Sequence, residues 1–213
     1  MSVPGTFSYA NAILFLSPNI NTEYNTDMEN EKKRKRVSKD QWLSAALDML
    51  ETGGVNNARV ERIAAKLSIS KSGFYWHFKD RRDLLNYLLE YWVHEYTEVV
   101  SNNPQFHRGD PKKRLEVISK MIEDHDLSKY DLAIFAWAKH DPVAESFVKK
   151  VIKIRHDFIR MQFSDIGFEG DELEMRTLLF VAFHFGESMM FREMSSRKRN
   201  RLRKLRLNML TKL

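Results

Sequence analysis

From Ser38 onward, apolar residues recur three and four positions apart, and at no point do they alternate every second residue. The first pattern lays an apolar stripe along one face of an α-helix, and the missing second pattern leaves no half-buried strand from which to build a sheet. An all-α chain of about nine helices is therefore expected. Trp42, Leu43, Ala46, Leu47 and Leu50 make the first stripe, which Gly53-Gly54 ends. Val60, Ile63, Ala64 and Leu67 make a short second one. Ser68-Ile69-Ser70 breaks it, and Ser70 is placed to cap a third short helix that turns Phe74 and Phe78 inward. A longer stripe, from Leu84 through Leu88 and Trp92 to Tyr96, then carries the chain away from these three.

Later boundaries are marked by capping signals. Asp110-Pro111 and Asp141-Pro142 each set a cap side chain before a proline at the first helical position. The first pair opens a helix with Leu115, Ile118 and Ile122 inside, and the second opens one that runs to about Ile166, where Gly167 stops it. Residues 132–138 form a compact apolar helix between them. Asp171 and Glu174 have the spacing of a capping box for the next helix, which is apolar on almost every side over residues 178–191. Leu202, Leu205, Met209 and Leu213 close the chain with an amphipathic helix whose other face is basic.

Charge is divided along the chain more sharply than the net +6 suggests. Residues 1–30 carry three acids and no base, whereas residues 31–82 carry 13 bases against six acids. Residues 83–194 carry 14 bases against 20 acids, and residues 195–213 eight bases and no acid. A basic module joined to an acidic body suits a protein that meets a polyanion with one end. Residues 1–36, Asn-, Ser- and Thr-rich and then basic over 32–36, are expected to be a flexible extension with a basic arm, with Met28 as an alternative start. Their apolar stretch Ala12-Ile13-Leu14-Phe15-Leu16 is too short for a secretory signal, and no run reaches the roughly 18 residues of a membrane span. A cytoplasmic protein with no membrane partner is expected. The chain has no cysteine, which excludes disulfides, thiolate metal sites and cysteine nucleophiles.

Two short helices joined by a tight turn, the second bearing polar and aromatic residues, are what reading the DNA major groove requires. With Phe74 and Phe78 as anchors, Lys71, Ser72, Gly73, Tyr75, Trp76 and His77 fall on faces that can meet DNA. The string Ser70-Lys71-Ser72-Gly73-Phe74-Tyr75-Trp76-His77-Phe78-Lys79-Asp80-Arg81 resembles the recognition-helix signature of the TetR family. The resemblance extends back through Arg59-Val60-Glu61-Arg62-Ile63-Ala64 and forward through Asp83-Leu84-Leu85.

This resemblance implies a helix-turn-helix DNA-binding domain over residues 37–82 and a ligand-binding and dimerisation body over 83–213. It implies a transcriptional regulator, commonly a repressor, that binds a palindromic operator on double-stranded DNA as a homodimer and is released by a small apolar or aromatic effector. Tyr75, His77 and Arg81 match positions that hold phosphates, which position without specifying. Lys71, Ser72 and Trp76 match positions facing base edges; Gly73 permits close approach, and Glu61 can reach the groove edge. The usual Thr pair opening the second helix is replaced by Ala58-Arg59, leaving Arg59 or Asn57 to take its cap and phosphate contact.

Within the body, Tyr96, Met121, Phe135, Trp137, Phe158, Phe180 and His184 are candidate effector-lining residues, each weighed against plain core. The helix over 178–191 and the last helix suit a four-helix seam between two copies, with Phe183, Met190 and Leu205 at the interface. Catalysis, cofactors and metals are not expected. No phosphate-binding loop or nucleophile elbow occurs, and His184 with Glu187 reads as a hydrogen-bonded pair in a helical body before it reads as a metal site. Glu123, Asp124, His125 and Asp126 read as a solvated helix end. Two other classes stay open: a helical small-molecule-binding or catalytic bundle with no need of DNA, and a protein-interaction module that uses DNA as a platform.

Overall fold

The computed structural model describes residues 37–191 and 193–212, and all regular structure among them is helical. The expected extension and basic arm lie outside the described residues. Helix α1 (Lys39–Gly53) starts on a capping box in which Ser38 Oγ accepts from the Gln41 N–H and the Gln41 side chain accepts from the Ser38 N–H. It buries Trp42, Leu47 and Leu50 completely. At roughly 1.5–3 kcal/mol per side chain, these residues anchor the N-terminal module. The helix stops because Gly54 takes a φ of 68°, where a side chain would be strained.

After a 3-10 turn at Val55–Asn57, α2 (Val60–Lys66) buries Ile63 and Ala64. Arg59 is its N-cap by position, but no side chain caps it, so neither Arg59 nor Asn57 replaces the missing hydroxyl. Asn57 instead donates to the Met49 carbonyl at 2.8 Å. The third helix is a 3-10 helix, Lys71–Trp76. Ser70 precedes it as expected, but its Oγ bonds Ser72 Oγ at 2.7 Å in place of a backbone N–H.

Helix α3 (Arg81–Val93) is capped by Asp80 and continues through a π-helical turn, His94–Glu98, and a last α turn, Val99–Ser101. The π turn interrupts the stripe read from the sequence and rotates Glu95, Tyr96 and Thr97 inward. Asp110 and Asp141 cap α4 (Pro111–Asp124) and α6 (Pro142–Ile166) as expected, with prolines in the first turns. Between them lies α5 (Asp131–Ala138), and Gly167, at φ 111°, ends α6 in the left-handed region. Helix α7 (Gly170–Met190) departs from expectation: its N-cap is Glu169, and no side chain caps it. Because the helix already begins at Gly170, Asp171 lies inside its first turn and the Asp171–Glu174 box does not form; Glu174 pairs with His156 at 2.8 Å. Ser195 caps α8 (Ser196–Thr211).

Helix α7 packs on α6, and α8 on α4. Its inward positions are Leu173, Thr177, Phe180, His184 and Glu187, so the buried stripe turns polar toward the C-terminus. Leu178, Leu179, Met189 and Met190 point outward, alongside Leu205 and Met209 of α8.

Candidate nucleic-acid interface

The helix-turn-helix is assembled on three rings. Phe74 meets Trp42 edge-on at 5.6 Å and lies 5.2 Å from Phe78, and all three are buried. Fixing these inward leaves the rest of the 3-10 helix outside: Tyr75 is 66% and Trp76 75% exposed, beside exposed Lys71 and Ser72. The nearest atom to a methyl group placed on Gly73 is Trp42 Cζ2 at 4.0 Å, so the fold itself does not require glycine there. Glu61 of α2 reaches the same face and pairs with Lys71 at 3.9 Å. Both side chains are well solvated, and such a pair contributes little stability. Arg59 is exposed, with its Nε on the Asn56 carbonyl at 3.1 Å.

His77 and Arg81 face partly inward. His77 Nε2 lies 3.0 Å from the Val37 carbonyl and so ties the chain ahead of α1 to the recognition segment. Arg81 donates Nε to the Ala58 carbonyl at 2.9 Å and Nη2 to the Val55 carbonyl. It thereby braces the 3-10 turn that presents α2. The turn between α2 and the 3-10 helix carries Ser68 at φ 57°, a left-handed conformation usually left to glycine.

A cavity of about 280 Å³ lies in the body, open to solvent past the exposed Ile152 and Leu178. Five of the seven expected lining residues meet there: Tyr96, Phe135, Phe158, Phe180 and His184. Met121 packs against the core away from it. Trp137 instead lines a larger cleft, about 940 Å³, between the helix-turn-helix and the body. The spacing rules missed most of the polar part of the wall: Thr97, Ser101, Ser128, Arg155 and His156. Arg155 was detectable, since it stands on the same face of α6 as Val148, Val151 and Phe158, where an unpaired cation would not be tolerated. Its partner is Asp131, which accepts Nη1 and, at 3.2 Å, Nη2, while Nε donates to Thr97 Oγ1 at 3.1 Å.

Behind the cavity, Glu123 is buried, accepting from Arg203 at 2.7 Å and Arg206 at 3.0 Å. It is therefore not part of a solvated helix end. Glu187 pairs with Arg199 at 3.3 Å, and His184 Nε2 lies 3.2 Å from Ser119 Oγ, so His184 and Glu187 are partnered separately instead of with each other. Burial, reinforced by Arg206, Arg155 and Arg203, holds the His184 imidazole well below its ordinary pKa and so neutral. Burial first, and then Glu123, pushes the Glu187 carboxyl up. Glu123, His184 and Glu187 offer ligand atoms within 4.8 Å of one another, but three arginines already serve the two carboxylates.

Contacts run from the cavity wall to α2. Tyr96 meets Tyr130 edge-on at 5.1 Å, and the Tyr130 hydroxyl donates to Asp48 Oδ1 at 2.7 Å. Asp48 Oδ2 takes Lys66 Nζ at 2.8 Å. No helix among the described residues is long and apolar enough to cross a membrane.

The model of the bacterial regulatory proteins of the tetR family matches residues 43–88. The tetracycline repressor protein class A from transposon 1721 of Escherichia coli is 38% identical over 48 residues, 22% of this chain and 22% of that protein. That alignment spans under a quarter of the relative's own length. A solved transcriptional regulator from Rhodococcus sp. Rha1 superposes with a TM-score of 0.64 at 16% identity, covering 82% of this chain and 94% of that one. FadR of Bacillus subtilis, a transcriptional regulator solved with stearoyl-CoA, gives 0.59 at 14% identity over 82% of this chain and 98% of its own. At such identities the shared property is the fold.

Proposed function

We propose that this chain, whose residues 43–88 match the model of the bacterial regulatory proteins of the tetR family, is a transcriptional regulator, by family habit a repressor, that reads a palindromic DNA operator as a dimer. The observation that carries the reading is the exposure of Tyr75 and Trp76 on a recognition segment whose other rings are buried. Two large aromatics held in water side by side signify a partner surface. Trp76, Lys71 and Ser72 read base edges, Gly73 lets the backbone close in, and Glu61 and Arg59 contact the groove rim from α2. Tyr75 holds phosphate. His77 and Arg81 set the geometry of the module and reach phosphate only with the donors left over from their carbonyl partners.

Two copies meet across α7 and α8, whose outward Leu178, Leu179, Met190, Leu205 and Met209 lack a polar covering. Phe183 is half-buried at the edge of this face, beneath the Arg206 guanidinium at 3.7 Å. An effector enters the cavity in the body. The acyl-CoA held by the FadR fold supports a ligand role for a body of this shape. The contacts from Tyr96 through Tyr130 and Asp48 to Lys66 give the effector a physical route to α2.

Selection of genomic fragments bound by the full chain tests this reading, followed by titration of the recovered site at several salt concentrations. A recovered palindrome and a log–log salt slope of roughly −0.9 per phosphate contact are expected. Recovery of no common site, or binding insensitive to salt, overturns the proposal in favour of a ligand-binding bundle without a DNA role.

A further inference from the structure

The cavity in the body discriminates by charge. Its volume of about 280 Å³, set against roughly 30 Å³ for a molecule of liquid water, holds on the order of ten non-hydrogen atoms. Tyr96, Phe135, Phe158, Phe180 and Phe185 give it flat apolar walls. The charged side chain on the wall, Arg155, is already neutralised by Asp131, whose own side chain is 1% exposed. Asp131 is further sealed by the Trp92 indole N–H at 3.1 Å.

An entering carboxylate therefore meets a guanidinium with its counter-charge in place, and the Asp131 carboxylate directly behind it. An entering ammonium finds no available anion, because Asp131 is covered, His156 Nε2 holds Glu174 at 2.8 Å, and Arg206 stands behind the neutral His184 ring at 3.5 Å. An anion that sheds its water here gains no free counter-charge, and a cation gains only the faces of the aromatic rings in place of a carboxylate. One hydroxyl, by contrast, lacks a partner: Ser101 lines the cavity, and its Oγ is buried with no hydrogen bond among the described residues. Buried hydroxyls are seldom left so.

We propose that this cavity takes a small neutral aromatic or alicyclic molecule of about ten non-hydrogen atoms carrying one oxygen, a carbonyl or hydroxyl, that meets the Ser101 hydroxyl. The inference rests on the reading of the chain as an effector-responsive regulator and names the class of that effector.

Acetophenone, benzoate and benzylammonium have similar shapes and differ in charge. In titration calorimetry and thermal-shift measurements on the full chain, acetophenone binds and raises Tm, while either ion binds at least about tenfold more weakly. Equal or tighter binding of either ion overturns the proposal, as does failure of all three to bind at millimolar concentration. Ser101→Ala lowers acetophenone affinity about threefold to tenfold and leaves ethylbenzene, which has no oxygen, unchanged. Equal responses to the two ligands remove Ser101 from the site. Operator binding measured on the same samples separates the two readings. Its absence strikes the regulator assignment alone, whereas a preference for ions with operator binding intact strikes only this inference.

Discussion

Arg82, in the first turn of α3, grips Asp141, the N-cap of α6, with Nη1 to Oδ2 at 2.7 Å and Nη2 to Oδ1 at 3.5 Å. Asp141 Oδ1 also accepts the Val143 and Ala144 N–H groups at 2.9 and 3.2 Å. One carboxylate thus starts a helix of the body and holds the end of the helix-turn-helix against it. The Arg82 guanidinium first, and then the helix amides, bring its pKa down to about 2 from an ordinary 3.8.

A depressed folded pKa contributes stability that is present above the unfolded value and lost as pH falls through the folded one. The window for Asp141 therefore lies between 3.8 and about 2. Asp141→Asn keeps a capping oxygen without the charge. Thermal unfolding across this window should show the natural chain losing more Tm than Asp141→Asn. Parallel losses would mean that the ion pair contributes nothing.

Ser68 holds a φ of 57° in the turn between α2 and the recognition segment. Ser68→Gly relieves that strain and should stabilise the chain by about 0.5–1 kcal/mol, read as a higher denaturant midpoint with unchanged m-value. A lower midpoint would show that the serine earns its place through an interaction of its own.

Substitutions at Gly73 and Trp76 test the proposed reading of DNA apart from the fold. Gly73→Ala has room in the protein and should leave stability unchanged or slightly raised, yet weaken operator binding by blocking backbone approach. Trp76→Ala should cost roughly 1–3 kcal/mol on the operator and little on random DNA. Equal losses on both DNAs would reassign Trp76 to positioning.

Arg81→Ala removes two bonds to backbone carbonyls, one of them on the buried Ala58. It should destabilise the module by about 1–3 kcal/mol, as well as weakening DNA binding. Normal stability with a reduced salt slope would return Arg81 to a purely phosphate-binding role.

Met190 is 61% and Leu205 54% exposed in the single chain. Met190→Asp or Leu205→Asp should leave helicity intact and yield monomers in sedimentation at micromolar concentration, with operator binding lost because one half-site contact is too weak alone. Phe183→Asp is a poorer probe, since that ring also supports Arg206. Dimers that persist in both variants would move the seam off α7 and α8.

Periodicity and caps were enough to place the helices opened by Ser38, Asp110 and Asp141, and to sort Phe74 and Phe78 from Tyr75 and Trp76, because these depend on neighbours within a turn or two of chain. Four of the five expected residues that line the cavity are aromatic, Tyr96, Phe135, Phe158 and Phe180, and mark themselves by lying on apolar stripes; His184 shares the stripe of Phe180 one turn on. Tertiary structure decided what no local spacing contains. Glu123 is buried because Arg203 and Arg206 arrive from some eighty residues away. Glu174 pairs with His156 on α6, and the π turn after Val93 aims Tyr96 at the cavity and Thr97 at Arg155. A helical period states which side chains share a face; only packing states what that face meets, and a buried polar group is settled by its distant partner.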